Sequence, residues 1–220
     1  VGKYADIVER AMYNGLISGV SLDGQKFFYV NPLASRGKHH RQAWFGCACC
    51  PTNVVRFLPT VGGYVYAQRE RSIFVNHYIA GAGKVPLGGN TVTLKQETKY
   101  PWEGVVKLSV EPQQPAAFEL CLRIPGWCEG AALKVNGQAA ELAKDKGYAK
   151  IAREWKSGDV VELNLPMPVR RVYADPNVKA DLGRVAIQRG PVVYCLEGAD
   201  NAALLRALCK RVRLRGAELR

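Results

Sequence analysis

No apolar run among the 220 residues approaches the roughly 18 that a membrane-spanning helix needs, so that class is excluded and no membrane partner is expected. No fixed period recurs, which excludes solenoid and propeller arrays. No basic-then-apolar leader follows Val1, so no secretory signal is visible. Acidic residues are in short supply: 19 Asp and Glu face 31 Lys and Arg, a net charge of +12. A surplus of that size first suggests nucleic acid. The charge, however, is concentrated at the ends. Residues 206–220 hold six basic residues against one acidic, residues 1–56 hold seven against three, and the stretch between is nearly balanced. No RNP, zinc-finger or helix-turn-helix signature accompanies the tail, so no nucleic-acid partner is expected. General anion binding by the tail and the loop Arg36-Gly37-Lys38-His39-His40-Arg41 is the weaker alternative.

What is present is an ordinary globular composition, 48% hydrophobic and 23% charged, long enough to bury a core without disulfides. Residues 3–17 place Tyr4, Ile7, Val8, Ala11, Met12 and Leu16 on one face at helical spacing, which predicts an amphipathic helix. Asp23-Gly24 reads as a turn, Phe27-Phe28-Tyr29-Val30 as an extended run, and residues 32–46 as a loop. Pro51 fits the first turn of a second helix, with Val54, Val55, Leu58 and Val61 as its buried face and Pro59 bending it. From Gly63 the pattern changes to short β-branched and aromatic runs separated by Gly, Pro and Asn turns, as in an antiparallel sandwich. They fall at 64–67, 72–79, 91–96, 105–110, 117–124, 133–135, 148–152, 160–165, 169–173, 184–188 and 192–196. Asn136-Gly137 is a hairpin turn signal. Trp102, Trp127 and Trp155 read as core or interface residues, although exposed tryptophans could stack on sugars in a non-catalytic carbohydrate-binding sandwich. His77 reads as structural.

Seven cysteines, an odd number, argue against a disulfide framework. Cys121 and Cys195 lie in apolar runs and are expected to be buried; Cys128 lies in a turn and Cys209 in the tail. The string Cys47-Ala48-Cys49-Cys50 is different. Its thiols sit at the start of a predicted helix, where backbone N–H groups favour thiolate. Thiolate clusters commonly hold zinc, so spacing alone favours a metal over catalysis, with plain buried cysteines as the bland reading. His39 and His40 are the nearest other donors, and the set is incomplete for a closed four-ligand site.

The string Trp44-Phe45-Gly46-Cys47-Ala48-Cys49-Cys50-Pro51-Thr52-Asn53 resembles the signature of glycoside hydrolase family 127, the β-L-arabinofuranosidases. Tyr4-Ala5-Asp6, Tyr13-Asn14 and Phe28-Tyr29-Val30-Asn31-Pro32-Leu33 resemble the segments before that signature. Leu122-Arg123-Ile124-Pro125-Gly126-Trp127 and Gln188-Arg189-Gly190-Pro191-Val192-Val193-Tyr194 resemble motifs of its β-sandwiches. The resemblance implies a mainly β chain: antiparallel β-sandwich domains preceded by the last helices of an (α/α)6 barrel. The implied division is residues 1–62 for the end of the barrel, 63–166 for one sandwich, and 167–220 for the start of a second with the basic tail.

The resemblance further implies Cys49 as the nucleophile of a retaining hydrolase and Cys49 and Cys50 as zinc ligands. Tyr29 would be a sugar contact, and Cys47 is not counted as a ligand. The family's acid/base glutamate and two further zinc ligands have no counterpart here, so the 220 residues are expected to be inactive by themselves. The expected partner is an arabinose-containing oligosaccharide or glycoconjugate. A homo-oligomer is compatible with the sequence, and thiolate chemistry suits a reducing compartment, the cytoplasm.

Overall fold

The computed structural model describes residues 1–30, 39–47 and 49–195, and of Cys50 the backbone alone. The basic tail and Arg36 to Lys38 lie outside the described residues. Helix α1 (Gly2–Ala11) continues through a wider π-type turn, Met12–Leu16, and a 3-10 turn, Ile17–Gly19. Helix α2 (Cys49–Phe57) has Pro51 in its first turn and tightens into a 3-10 segment, Leu58–Tyr64, where Pro59 removes a donor from the ladder.

Fourteen described strands follow. They are β1 (Tyr66–Arg69), β2 (Ser72–Val75), β3 (Gly81–Leu87), β4 (Asn90–Thr98), β5 (Val105–Pro112), β6 (Ala116–Arg123), β7 (Ala132–Val135), β8 (Gln138–Ala140), β9 (Lys144–Asp145), β10 (Tyr148–Trp155), β11 (Asp159–Asn164), β12 (Val169–Val172), β13 (Ala186–Arg189) and β14 (Val192–Tyr194). One sheet has the order β1-β2-β6-β10-β9, a second β3-β4-β5-β11-β7-β8, and a third β12-β13-β14. Every pairing is antiparallel except β2 with β6. The mainly antiparallel sandwich expected from the sequence is therefore the observed fold.

Alternation sets the core. Val92 and Leu94 of β4, Val106, Leu108 and Val110 of β5, and Val161 and Leu163 of β11 face Ile73 and Val75 of β2 and Phe118, Leu120 and Leu122 of β6. Trp155 closes the core, fully buried, and donates from Nε1 to Phe118 O at 3.1 Å. Asn136 and Gly137, at φ 50° and 79°, make the tight turn between β7 and β8.

Strand β3 has no counterpart among the predicted runs. Gly81, Gly83 and Pro86 mask it, yet it pairs with β4 over its whole length as an edge strand, where Pro is tolerated. Glycine is required at 83, where a Cβ would come within 2.5 Å of the Tyr66 ring.

The helical segment buries only part of its predicted apolar face. Of that face Met12 is buried but Tyr4 and Ile7 are exposed, as are Val55 of α2 and Leu58 of the 3-10 segment after it. What α1 turns inward is Asp6 and Glu9, one helical turn apart. The reason is Arg123 at the end of β6, fully buried and in need of carboxylates. Its Nη1 donates to Asp6 Oδ1 at 2.6 Å and Nη2 pairs with Glu9, while Nε donates to Asn76 O at 2.5 Å. Glu9 also accepts from Tyr100 Oη at 2.5 Å and Trp127 Nε1 at 3.1 Å, and Gly126 N donates to Asp6 Oδ2 at 3.2 Å. Burial opposes the guanidinium charge, but Glu9 together with the Tyr100 and Tyr78 phenols holds Arg123 above its ordinary range. Asn14 ties the third sheet to the same segment, donating to Pro191 O at 2.9 Å and accepting from Val193 N at 2.8 Å.

Two smaller expectations are corrected. Trp102 is exposed, in a turn whose carbonyl accepts from Arg189. Cys195, just past β14, is exposed. Cys128, in its expected turn, is a free thiol packed in the core.

His77 is buried, as expected of a structural histidine, and burial together with the Arg123 charge lowers its pKa to about 4. The unfolded chain takes up that proton near the ordinary value of about 6.5, the folded chain only near 4, so acidification favours unfolding across that window. The stability loss should be on the order of 3 kcal/mol between pH 7 and pH 4 from this group alone. Urea titrations of the wild type and His77→Gln at both pH values would check it: the variant's stability should fall less on acidification.

Candidate active site

The site is assembled from the loop carrying Tyr29 and the start of α2. Phe27 and Gln42 exchange backbone hydrogen bonds at 3.0 Å in each direction, and Phe28 N donates to Gly19 O at 2.9 Å. Aromatic contacts fix the rings: Phe27 meets Phe45 edge-on at 5.2 Å, and Tyr29 lies 5.7 Å from the same ring. His39 and Arg41 of the basic loop serve this scaffold. His39 stacks on Phe28 at 4.7 Å, and the Arg41 guanidinium sits 4.3 Å from the Phe28 ring while bonding Ser18 O at 3.0 Å.

On this scaffold Tyr29 Oη lies 3.2 Å from Cys49 Sγ, and Cys47 Sγ lies 3.1 Å from the same sulfur. Cys49 is the first residue of α2, where unpaired N–H groups and the helix dipole favour negative charge. Its carbonyl accepts from Thr52 Oγ1 at 2.8 Å and Asn53 Nδ2 at 3.0 Å, which anchors the turn. The contact with Cys49, then that with Cys47, holds the Tyr29 phenol above its usual range. Tyr29 thus stays protonated and can donate its O–H to the sulfur. Cys49 and Tyr29, chosen from the sequence, are in contact. The side chain of Cys50 lies outside the described residues. Cys47 is the addition that sequence reasoning left without a role, although its spacing of two from Cys49 was visible.

The donor chemistry at Cys47 and Cys49 suits zinc, which takes thiolates at about 2.3 Å. In number it falls short: among the described residues, no group of three or more His, Cys, Asp or Glu is arranged to hold a metal ion. An apolar cleft of about 230 Å³, lined by Met12, Tyr13, Phe57, Leu58 and Tyr100 among others, contains neither Tyr29 nor Cys49. It lies between the helical segment and the sandwich.

Three family descriptions match in chain order. The beta-L-arabinofuranosidase GH127 catalytic domain covers residues 1–63, the GH127 middle domain 72–167, and the glycoside hydrolase family 127 C-terminal domain 169–217. The chain belongs to glycoside hydrolase family 127. A non-reducing end beta-L-arabinofuranosidase of Bifidobacterium longum subsp. longum is 37% identical, over 91% of this chain and 32% of its own length. A GH127 beta-L-arabinofuranosidase from Geobacillus stearothermophilus T6 superposes with a TM-score of 0.85 at 48% identity, over 90% of this chain and 33% of that one. A second GH127 beta-arabinofuranosidase structure gives 0.86 at 47%, over 90% and 34%. The chain therefore spans about a third of the length of these family 127 relatives. The catalytic-domain match ends at residue 63, so Tyr29, Cys47 and Cys49 all lie within it.

Proposed function

We propose that this chain supplies the nucleophile of a retaining glycoside hydrolase that releases β-L-arabinofuranose from oligosaccharides or glycoconjugates. The observation that carries the reading is the contact of Tyr29 Oη with Cys49 Sγ at the N-terminus of α2, within the family's catalytic-domain match. The Cys49 sulfur attacks the anomeric carbon, the bond to the leaving oxygen breaks, and a glycosyl thioether forms. A carboxylic acid from the remainder of the catalytic domain protonates the leaving oxygen. As carboxylate it then takes the proton of the water that releases the sugar. Two displacements at one carbon return its original configuration. Tyr29 contacts the sugar and donates its O–H to the sulfur.

Zinc belongs to the same proposal, with Cys49 and Cys50 as its ligands from this chain. When bound, the metal keeps a thiol ionised near neutral pH. The division at residues 62/63 and 166/167 and a reducing, cytoplasmic setting are parts of this reading, the latter because it rests on thiols.

Hydrolysis of an aryl β-L-arabinofuranoside tests the function in a protein carrying the complete catalytic domain. Retention of configuration and no turnover by the 220 residues alone are expected; an inverted product would refute the proposed chemistry. Zinc content of the same protein should drop about tenfold or more in Cys50→Ser, as removal of a first ligand does at least what loss of its supporting partner does. Unchanged zinc in that variant would remove Cys50 from the ligand set.

A further inference from the structure

We infer that Arg41 and His39 are positioning residues for the proposed reaction: they clamp the peptide from Phe28 to Val30 so that the Tyr29 phenol stays within reach of the Cys49 sulfur. The inference rests on the reading of Tyr29 as sugar contact and Cys49 as nucleophile, and it adds the residues that align them. The backbone under Tyr29 has little support of its own. Between Gly19 and Cys49 the described residues form no helix and no strand, only the bridges Val20–Phe27 and Phe27–Gln42. Tyr29 and Cys49 are both exposed, so burial does little to fix the phenol.

The residues on either side of Tyr29 are the ones held. Phe28 N donates to Gly19 O at 2.9 Å. The Phe28 ring stacks on the His39 imidazole at 4.7 Å and meets the Arg41 guanidinium at 4.3 Å. On the other side of Tyr29, His39 Nε2 donates to Val30 O at 2.5 Å. Arg41 is itself anchored. Its Nη2 donates to Ser18 O at 3.0 Å and its Nε to Gly19 O at 3.3 Å, at the end of the helical segment that Arg123 ties to the sandwich. A guanidinium can bond two carbonyls through its edge while its face covers a ring; a lysine ammonium would keep the charge and lose that geometry. The run from the helical segment through Arg41 and Phe28 therefore sets where Tyr29 Oη meets Cys49 Sγ, at 3.2 Å. Displacing an aligned group by about 1 Å can cost on the order of 10²-fold in rate.

The test is a double-mutant cycle on hydrolysis of an aryl β-L-arabinofuranoside, in a protein carrying the complete catalytic domain. Arg41→Met should lower kcat/KM about tenfold, and Arg41→Lys should recover little of the loss. With Tyr29→Phe already in place, Arg41→Met should cost less than about twofold, since the hydroxyl it aligns has gone. His39→Leu removes a different contact of the same clamp and repeats the cycle if Arg41→Met does not fold. Amide hydrogen exchange reads the clamp without catalysis: at Phe28 it should quicken about tenfold in either variant. Equal losses in both backgrounds, full rescue by Arg41→Lys, or unchanged exchange at Phe28 would overturn the inference. If the unsubstituted protein does not hydrolyse the glycoside, the proposed function fails, and hydrogen exchange still decides the clamp.

Discussion

Replacing Cys49 by alanine, in a protein carrying the complete catalytic domain, is expected to lower kcat on an aryl β-L-arabinofuranoside by about 10⁴-fold or more, the scale seen when a covalent nucleophile is removed. The fold should tolerate the change. Cys49 is exposed at the first position of α2, and the bonds it accepts from Thr52 and Asn53 use its backbone carbonyl, which alanine retains. The thermal midpoint should therefore stay close to that of the wild type while turnover collapses. Tyr29→Phe should be milder, since it removes one donor at 3.2 Å from the sulfur and leaves the sulfur in place. Undiminished turnover in Cys49→Ala would remove the thiolate from the mechanism.

The second large effect concerns the junction between α1 and the sandwich. Glu9→Leu should destabilise the chain by about 3–5 kcal/mol, because it leaves the buried Arg123 guanidinium short of its main counter-charge. Tyr100 and Trp127 lose their acceptor in the same step. Asp6 remains at 2.6 Å from Arg123 but is partly exposed, and it makes up only part of the loss. Adding Arg123→Met to Glu9→Leu should restore much of the stability, since a buried ion pair replaced on both sides by apolar groups is often tolerated. Denaturant midpoints of the two single variants and the double variant give the coupling directly. Additive losses would show that the junction does not depend on this pair.

The sandwich was legible because its strands alternate. In β4, β5 and β11 every second side chain is buried, and a single sequence carries that period plainly. Asn136-Gly137 declared its turn through backbone chemistry alone. Strand β3 was hidden because its two glycines and its proline carry no strand pattern; its place comes from pairing with β4.

Helix α1 misled for a different reason. Its apolar stripe of Tyr4 and Ile7 is real, but the sandwich presents Arg123, and a buried guanidinium selects the carboxylate face. The available signal was Asp6 and Glu9 three apart on one helix, together with an arginine inside the apolar run Leu122-Arg123-Ile124. At the candidate site, the helix start at Cys49 could be read from Pro51. The approach of Tyr29 could not be read from local pattern, because it depends on the Phe27–Gln42 bridge and the Phe45 ring across the loop. The resemblance to the family supplied Tyr29 where local pattern did not.

The central claim is that a sugar is carried on the Cys49 sulfur. Its most direct measurement is peptide mass mapping after rapid acid quench of a protein with the complete catalytic domain, turning over an activated aryl β-L-arabinofuranoside. The account predicts one pentosyl unit on the peptide containing Cys49, absent from Cys49→Ala. A pentosyl unit on any other side chain would contradict it.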